Sequence, residues 1–188
     1  MWVLLPLLLL FGCESTQLDP WKKIEGRDGR ELYQARVPED WSEIEVPRTN
    51  DSREPIGQFE IDGITIWVHN FPGMRIPPMA QVARWKRQNE NAITLVVNEA
   101  HGGFAGLRFE AETDTSKVIA WAMQIDHEHN QVLANLRGNH EALTFFSEMR
   151  SDYTIKASGA QDAMERHDEA IRAFARTFEL IQPIPRRR

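Results

Sequence analysis

With one cysteine among 188 residues, the chain cannot close an intramolecular disulfide, so an exported form must be held by core packing rather than by covalent staples. Excess positive charge is missing too. Lys and Arg number 22 against 28 Asp and Glu, a formal net charge of -6, which excludes nucleic acid as the main partner because phosphate binding needs a concentrated basic face. The chain has no G-x-S-x-G elbow for a serine nucleophile and no H-E-x-x-H helix for zinc. Gly102-Gly103-Phe104-Ala105-Gly106 stands before a strand pattern rather than between a strand and a helix, so it reads as a turn and not as a phosphate cradle. There is no internal repeat. What is present is a globular composition: 41% hydrophobic and 27% charged residues, enough for a core and without the charge bias of a disordered chain. The length fits one domain.

The longest apolar run, Val3 to Phe11, is too short to cross a ~30 Å hydrocarbon core as a helix and reads as the apolar region of a signal peptide. Leu10-Phe11-Gly12-Cys13 directly follows. It resembles the lipobox of bacterial lipoproteins, with an aliphatic residue three positions before the cysteine and a small one immediately before it. The resemblance implies cleavage ahead of Cys13 and a diacylglyceryl thioether on its sulfur. Its partner would then be a membrane, reached through that lipid. Glu14, in place of Asp, points in the same family to the outer membrane, facing the periplasm. From Glu14 to Pro20 the chain is polar and non-periodic, a tether of at most roughly 25 Å at ~3.3 Å per extended residue. The organisation expected is a signal peptide over 1–12, a lipidated Cys and short tether over 13–20, and a single globular α+β domain over 21–188.

Within that domain, Leu32, Tyr33, Ala35 and Val37 precede the turn Pro38-Glu39-Asp40-Trp41 and a second apolar patch, Ile44 and Val46, suggesting an opening hairpin or meander. Asp62-Gly63 between two β-rich runs, Gln58 to Ile61 and Ile64 to Val68, predicts a hairpin with a type I′ turn. Pro78 starts a helix that places Met79, Val82 and Trp85 on one face. Leu107 to Ala111 alternates as a strand with one wet face, and Val118 to Ile125 is a more buried strand that Gln131 to Leu136 is expected to pair. A helix over Ala142 to Met149 follows, capped by Asn139. Tyr153 to Ala157 is expected to close the sheet. Met164, His167, Ile171, Phe174, Phe178 and Ile181 form one apolar stripe of a final helix that Pro183 stops. The expected fold class is α+β, mainly antiparallel sheet packed by helices.

Several of these segments together resemble the Mog1/PsbP-like α/β/α sandwiches: the first strand running into Val37-Pro38-Glu39-Asp40-Trp41, the helix bearing Trp85, the late strand ending in Lys156-Ala157-Ser158-Gly159, and the last helix with Phe174 and Phe178. The resemblance covers roughly residues 30 to 182 and implies a non-catalytic accessory or binding module.

His127-Glu128-His129 is the best metal candidate, because alternate residues of an extended segment project to one side and present two imidazoles. His101 or Glu99 would have to supply further ligands, and an exposed polar hairpin tip is the stronger reading. His167 reads as a hydrogen-bonded core or boundary histidine on its stripe, while His69 and His140 have no partner pattern. Arg84-Trp85-Lys86-Arg87 is expected to turn Trp85 inward and leave its cations in water. Glu43 and Glu45 are too ordinary in an acidic chain to be read as acid and base. The sequence therefore assigns Cys13 to lipidation and assigns no catalytic, cofactor-binding or metal residue. It points to a membrane-anchored accessory of the bacterial cell envelope, partnered by the membrane and by an envelope protein. A metal-dependent envelope hydrolase using His127 and His129 is the alternative.

Overall fold

A computed structural model describes residues 21–27, 29–49, 51, 53–71, 76–126 and 152–181. Among these residues, ten strands and three helices form two antiparallel sheets with helices on both faces of the larger one. The small sheet has the order β1-β2-β10, from β1 (Trp21–Glu25), β2 (Glu31–Arg36) and β10 (Glu179–Leu180). The large sheet runs β3-β4-β5-β9-β8-β7-β6, from β3 (Ser42–Ile44), β4 (Gly57–Ile61), β5 (Ile64–Phe71), β6 (Ile93–His101), β7 (Phe104–Glu112), β8 (Ser116–Ile125) and β9 (Asp152–Ala160). The expected α+β class, mainly antiparallel, is what the molecule has.

Local chemistry accounts for the hairpins. Asp62 and Gly63 take φ of 48° and 74°, the two positive values that a type I′ turn demands. The β6–β7 hairpin turns in the same way at Gly102 and Gly103, with φ of 58° and 84°. Helix α1 (Pro78–Gln88) opens on its proline, whose missing N–H is lost where the helix has no use for it. Val82 and Trp85 are buried as expected, whereas Met79 is 62% exposed and faces away from the core. Arg84, Lys86 and Arg87 lie in solvent. Among the described residues no helix is long and apolar enough to cross a membrane.

Four expectations are corrected. β2 and β3 do not pair: the turn in which the Trp41 N–H bonds to Pro38 O carries the chain from one sheet to the other, and buried Trp41 packs between Phe59 and Phe174. β9 lies at the sheet centre between β5 and β8, so β6, for which the sequence offered no expectation, is the edge. Both edges of β8 are taken, by β7 and β9. The strand expected to pair it, Gln131 to Leu136, lies outside the described residues, as does the helix expected over 142–149. Finally, the last apolar stripe is two helices, α2 (Gln161–Arg166) and α3 (Asp168–Thr177), broken at His167 with φ -103° and ψ 7°. One non-helical residue displaces the stripe too little to lose it, so Met164, Ile171, Phe174 and Phe178 all remain buried. Beyond Thr177 the backbone extends at Phe178, and β10 docks on β2.

The main core lies between the large sheet, the small sheet and the α2–α3 pair. Its centre is aromatic: Phe178 stacks on Tyr33 at 4.9 Å, Tyr153 meets Phe104 edge-on at 4.7 Å, and Phe59 meets Phe174 at 5.4 Å. Offset and edge-on pairs of this kind add about 0.5–1.5 kcal/mol each beyond their burial. The opposite face carries a smaller core under α1, where Trp85 and Val82 lie on Phe109 and the small side chains Ala111, Ala120 and Ala122.

Candidate functional site

Two places concentrate polar chemistry. The first is a groove of about 520 Å³ between β1 and the extended chain from Glu43 to Thr49, closed below by Pro55 to Gly57. Its floor is apolar, from Ile24, Ile44, Ile56 and Phe59, and its rim carries Lys23, Glu25, Arg27, Glu43 and Arg48. Ion pairs cross it: Lys22 meets Glu43 at 2.5 Å, and Arg48 meets Glu25. Arg27 fixes its wall. Its guanidinium donates to Asp51 O at 2.5 Å, Glu54 O at 2.6 Å and Asn70 O at 3.2 Å, tying the loop to the end of β5. Partial burial lowers the Arg27 pKa from its ordinary value, against the pull of Asp51 and Glu54. A wall held this way keeps its shape before any ligand arrives, which reduces the ordering cost of binding.

The second lies on β6 and β7 beneath α3. Glu99 accepts from Arg108 Nε at 2.6 Å and from Trp121 Nε1 at 2.9 Å. Burial pushes its carboxyl up, but the hydrogen bonds from Arg108 and Trp121 and the Arg108 charge outweigh this, and the net shift is downward. Arg108 also pairs with Glu110, and Arg172 of α3 reaches both Glu110 at 3.2 Å and Asp168 at 2.5 Å. The face of β7 expected to be wet is therefore a half-buried ion network, with the Arg108 and Glu110 side chains only 12% and 15% exposed. Alternating charge reads as a solvated face unless a charged helix covers it, and no residue in the strand itself announces that cover.

His101 shares this face of β6. Burial lowers its pKa from the ordinary value, against Glu99, so it is neutral near pH 7. Both of its ring nitrogens are buried and have no hydrogen-bond partner among the described residues. The two extra ligands considered from sequence, Glu99 and His101, are thus brought to one face, but Glu99 has both oxygens engaged. His127 and His129 lie outside the described residues, as does Cys13. The chain leads toward them from Asp126, whose N–H bonds Gly103 O at 3.1 Å at the β6–β7 turn. Among the described residues no group of three or more His, Cys, Asp or Glu side chains gathers in a way that would hold a metal. His167 sits at the helix break 3.7 Å from Asp62, a boundary position as expected. His69, half-buried on β5, is held down to about 4 chiefly by burial. Glu43 is paired and exposed, and Glu45 is exposed. The sequence reading missed Arg27, since a single arginine after a charged strand carries no local signal of three carbonyl partners.

No family model matches this sequence, and no curated protein matches it. Among solved structures the chain is similar to LpqN of Mycobacterium tuberculosis, described as involved in cell envelope biogenesis, with a TM-score of 0.50 and 12% identity over 86% of this chain and 90% of that one. It is also similar to the cyanobacterial PsbP of Synechocystis sp. PCC 6803, with a TM-score of 0.48 and 12% identity over 91% of this chain and 98% of that one. At such identity the likeness to LpqN is one of fold.

Proposed function

We propose that the chain is a lipid-anchored accessory of the bacterial cell envelope: a Mog1/PsbP-like domain, without chemistry of its own, that binds an envelope component in the groove beside β1. One observation carries this reading. The groove is built on the first strand of the domain, which begins at Trp21, eight residues after Cys13, and its wall is fixed in advance by Arg27. With a thioether on Cys13 and a tether of at most roughly 25 Å, the groove stays beside the bilayer whatever the domain's orientation. Several acyl chains make such an anchor durable where one would be marginal. LpqN, involved in cell envelope biogenesis, has the same kind of fold, which supports the setting.

The test is fractionation of cells that express the full chain. The expected result is membrane retention for the parent, a shift of Cys13→Ser to the soluble fraction, and loss of an envelope partner from Arg27→Ala pull-downs while membrane retention is kept. A parent found in the soluble fraction would end the anchored reading.

A second reading, metal-dependent hydrolysis, is favoured by His101, whose buried ring nitrogens have no hydrogen-bond partner among the described residues. Metal analysis of the purified protein separates the two: about one zinc or similar ion per chain, lost in His101→Ala, would favour the hydrolase.

A further inference from the structure

Among the described residues, four strands form the outer edges of the two sheets: β1 and β10 in the small one, β3 and β6 in the large one. Exposed edges invite another strand, and proteins blunt them with shortness, charge, proline or bulges. Three of these edges are blunted. β3 has three residues, including Glu43, and Glu45 and Pro47 follow at once. β10 has two residues. β1 places Lys22, Lys23 and Glu25 among its five.

β6 has none of these protections. It is nine residues long, Ile93 to His101, with no Pro, Lys or Arg. Its register with β7 runs unbroken from Ile93↔Glu112 to His101↔Phe104, so no bulge twists it away. Its single charge, Glu99, is already neutralised by Arg108. Ile93 and Leu95 are 85% and 52% exposed on the same side of the strand, whereas large apolar side chains on a sheet are ordinarily covered.

The hairpin fixes which backbone groups are free. His101 and Phe104 flank the two-residue turn at Gly102-Gly103 and so form its closing hydrogen-bonded pair. By alternation, the odd-numbered residues of β6 bond to β7, and the N–H and C=O groups of Thr94, Val96 and Asn98 point outward.

We propose that β6 is the interface through which two copies of this chain pair edge to edge, antiparallel, making one continuous sheet. The register centres on Leu95. Thr94 and Val96 then exchange hydrogen bonds with Val96 and Thr94 of the second copy, Leu95 meets Leu95, and Ile93 meets Val97, so the exposed apolar residues cover one another. A second copy fits because the edge is locally neutral in a chain of net charge -6, which makes it the place where two like-charged copies approach with least repulsion. The interface is isologous and uses in each copy the edge that is open among the described residues, so assembly stops at two. This inference does not depend on the lipid anchor.

The test is sedimentation velocity on the full chain in detergent. The parent is expected at twice the chain mass. Leu95→Lys, on a half-exposed side chain, is expected at half the parent mass with an unchanged far-UV circular dichroism spectrum, and Ser42→Lys on the opposite edge is expected to keep the parent mass. Register is read by oxidising Leu95→Cys: facing Cα atoms in a non-hydrogen-bonded pair lie about 4.5 Å apart, within disulfide reach of roughly 4.4–6.8 Å. That variant is expected to cross-link into a dimer several-fold faster than the parent, which has Cys13 alone. A parent sedimenting as a single chain, a Leu95→Lys variant that stays paired, or Leu95→Cys linking no faster than the parent would each overturn the proposal.

Discussion

The two faces of the large sheet are buried by different means. On one face, rings from both sheets and from α3 interlock: Tyr33, Phe104, Tyr153, Phe174 and Phe178 are at most 1% exposed. On the other, one helix sets a single indole against Phe109, with centroids 6.0 Å apart, over a bed of alanines. The first face is a jigsaw assembled from distant parts of the sequence, and the second is a local lid. The difference teaches where a cavity is least able to collapse. A ring removed from among other rings leaves a hole bounded by strands that cannot move, whereas a ring removed from under one helix lets that helix settle.

The comparison is tested most strongly by truncating one ring on each side. Phe174→Ala is expected to lower unfolding free energy by about 4–5 kcal/mol and Trp85→Ala by about 3 kcal/mol, the upper and lower ends of the range for buried aromatics, both read from urea denaturation. Equal losses would remove the distinction. Breaking the ion network with Arg108→Ala is expected to cost about 2 kcal/mol, because Glu99 keeps its burial and loses its cation, while Glu110 keeps only Arg172. Gly63→Ala, at φ 74° in the β4–β5 turn with open space around it, is expected to cost about 1 kcal/mol through backbone strain alone.

The last test is a pH slope. His69 has its folded pKa lowered to about 4 by burial, from an ordinary 6.5, so the unfolded chain binds more protons between those values. Stability is therefore full above about pH 6.5 and declines as the pH falls toward 4. His69→Gln is expected to flatten that decline in thermal melts taken across the window, and an unchanged slope would show that His69 does not drive it.

Much of this architecture was legible because it is written locally. Asp62-Gly63 has one hairpin conformation that suits it, and Pro78 with Val82 and Trp85 spells a helix start and a buried face. What escaped is non-local. The pairing of β2 with β10 joins residues far apart in sequence, Gln34 with Glu179 and Tyr33 with Leu180. β6 escaped because Ile93, Leu95, Val96 and Val97 put apolar side chains on both faces of the strand, so it shows no alternation. The break at His167 escaped because a single non-helical residue leaves the spacing of apolar residues intact. The groove was invisible for a similar reason, since Arg27 makes its three bonds to carbonyls 24 to 43 residues away.

The proposed function places the domain at a bilayer through a lipid on Cys13. The most direct measurement is the intact mass and N-terminal peptide of the native protein purified from membranes. It is expected to begin at Cys13, with a diacylglyceryl group in thioether linkage and no free thiol. A mature chain that begins at Met1 and whose Cys13 reacts with iodoacetamide would contradict it.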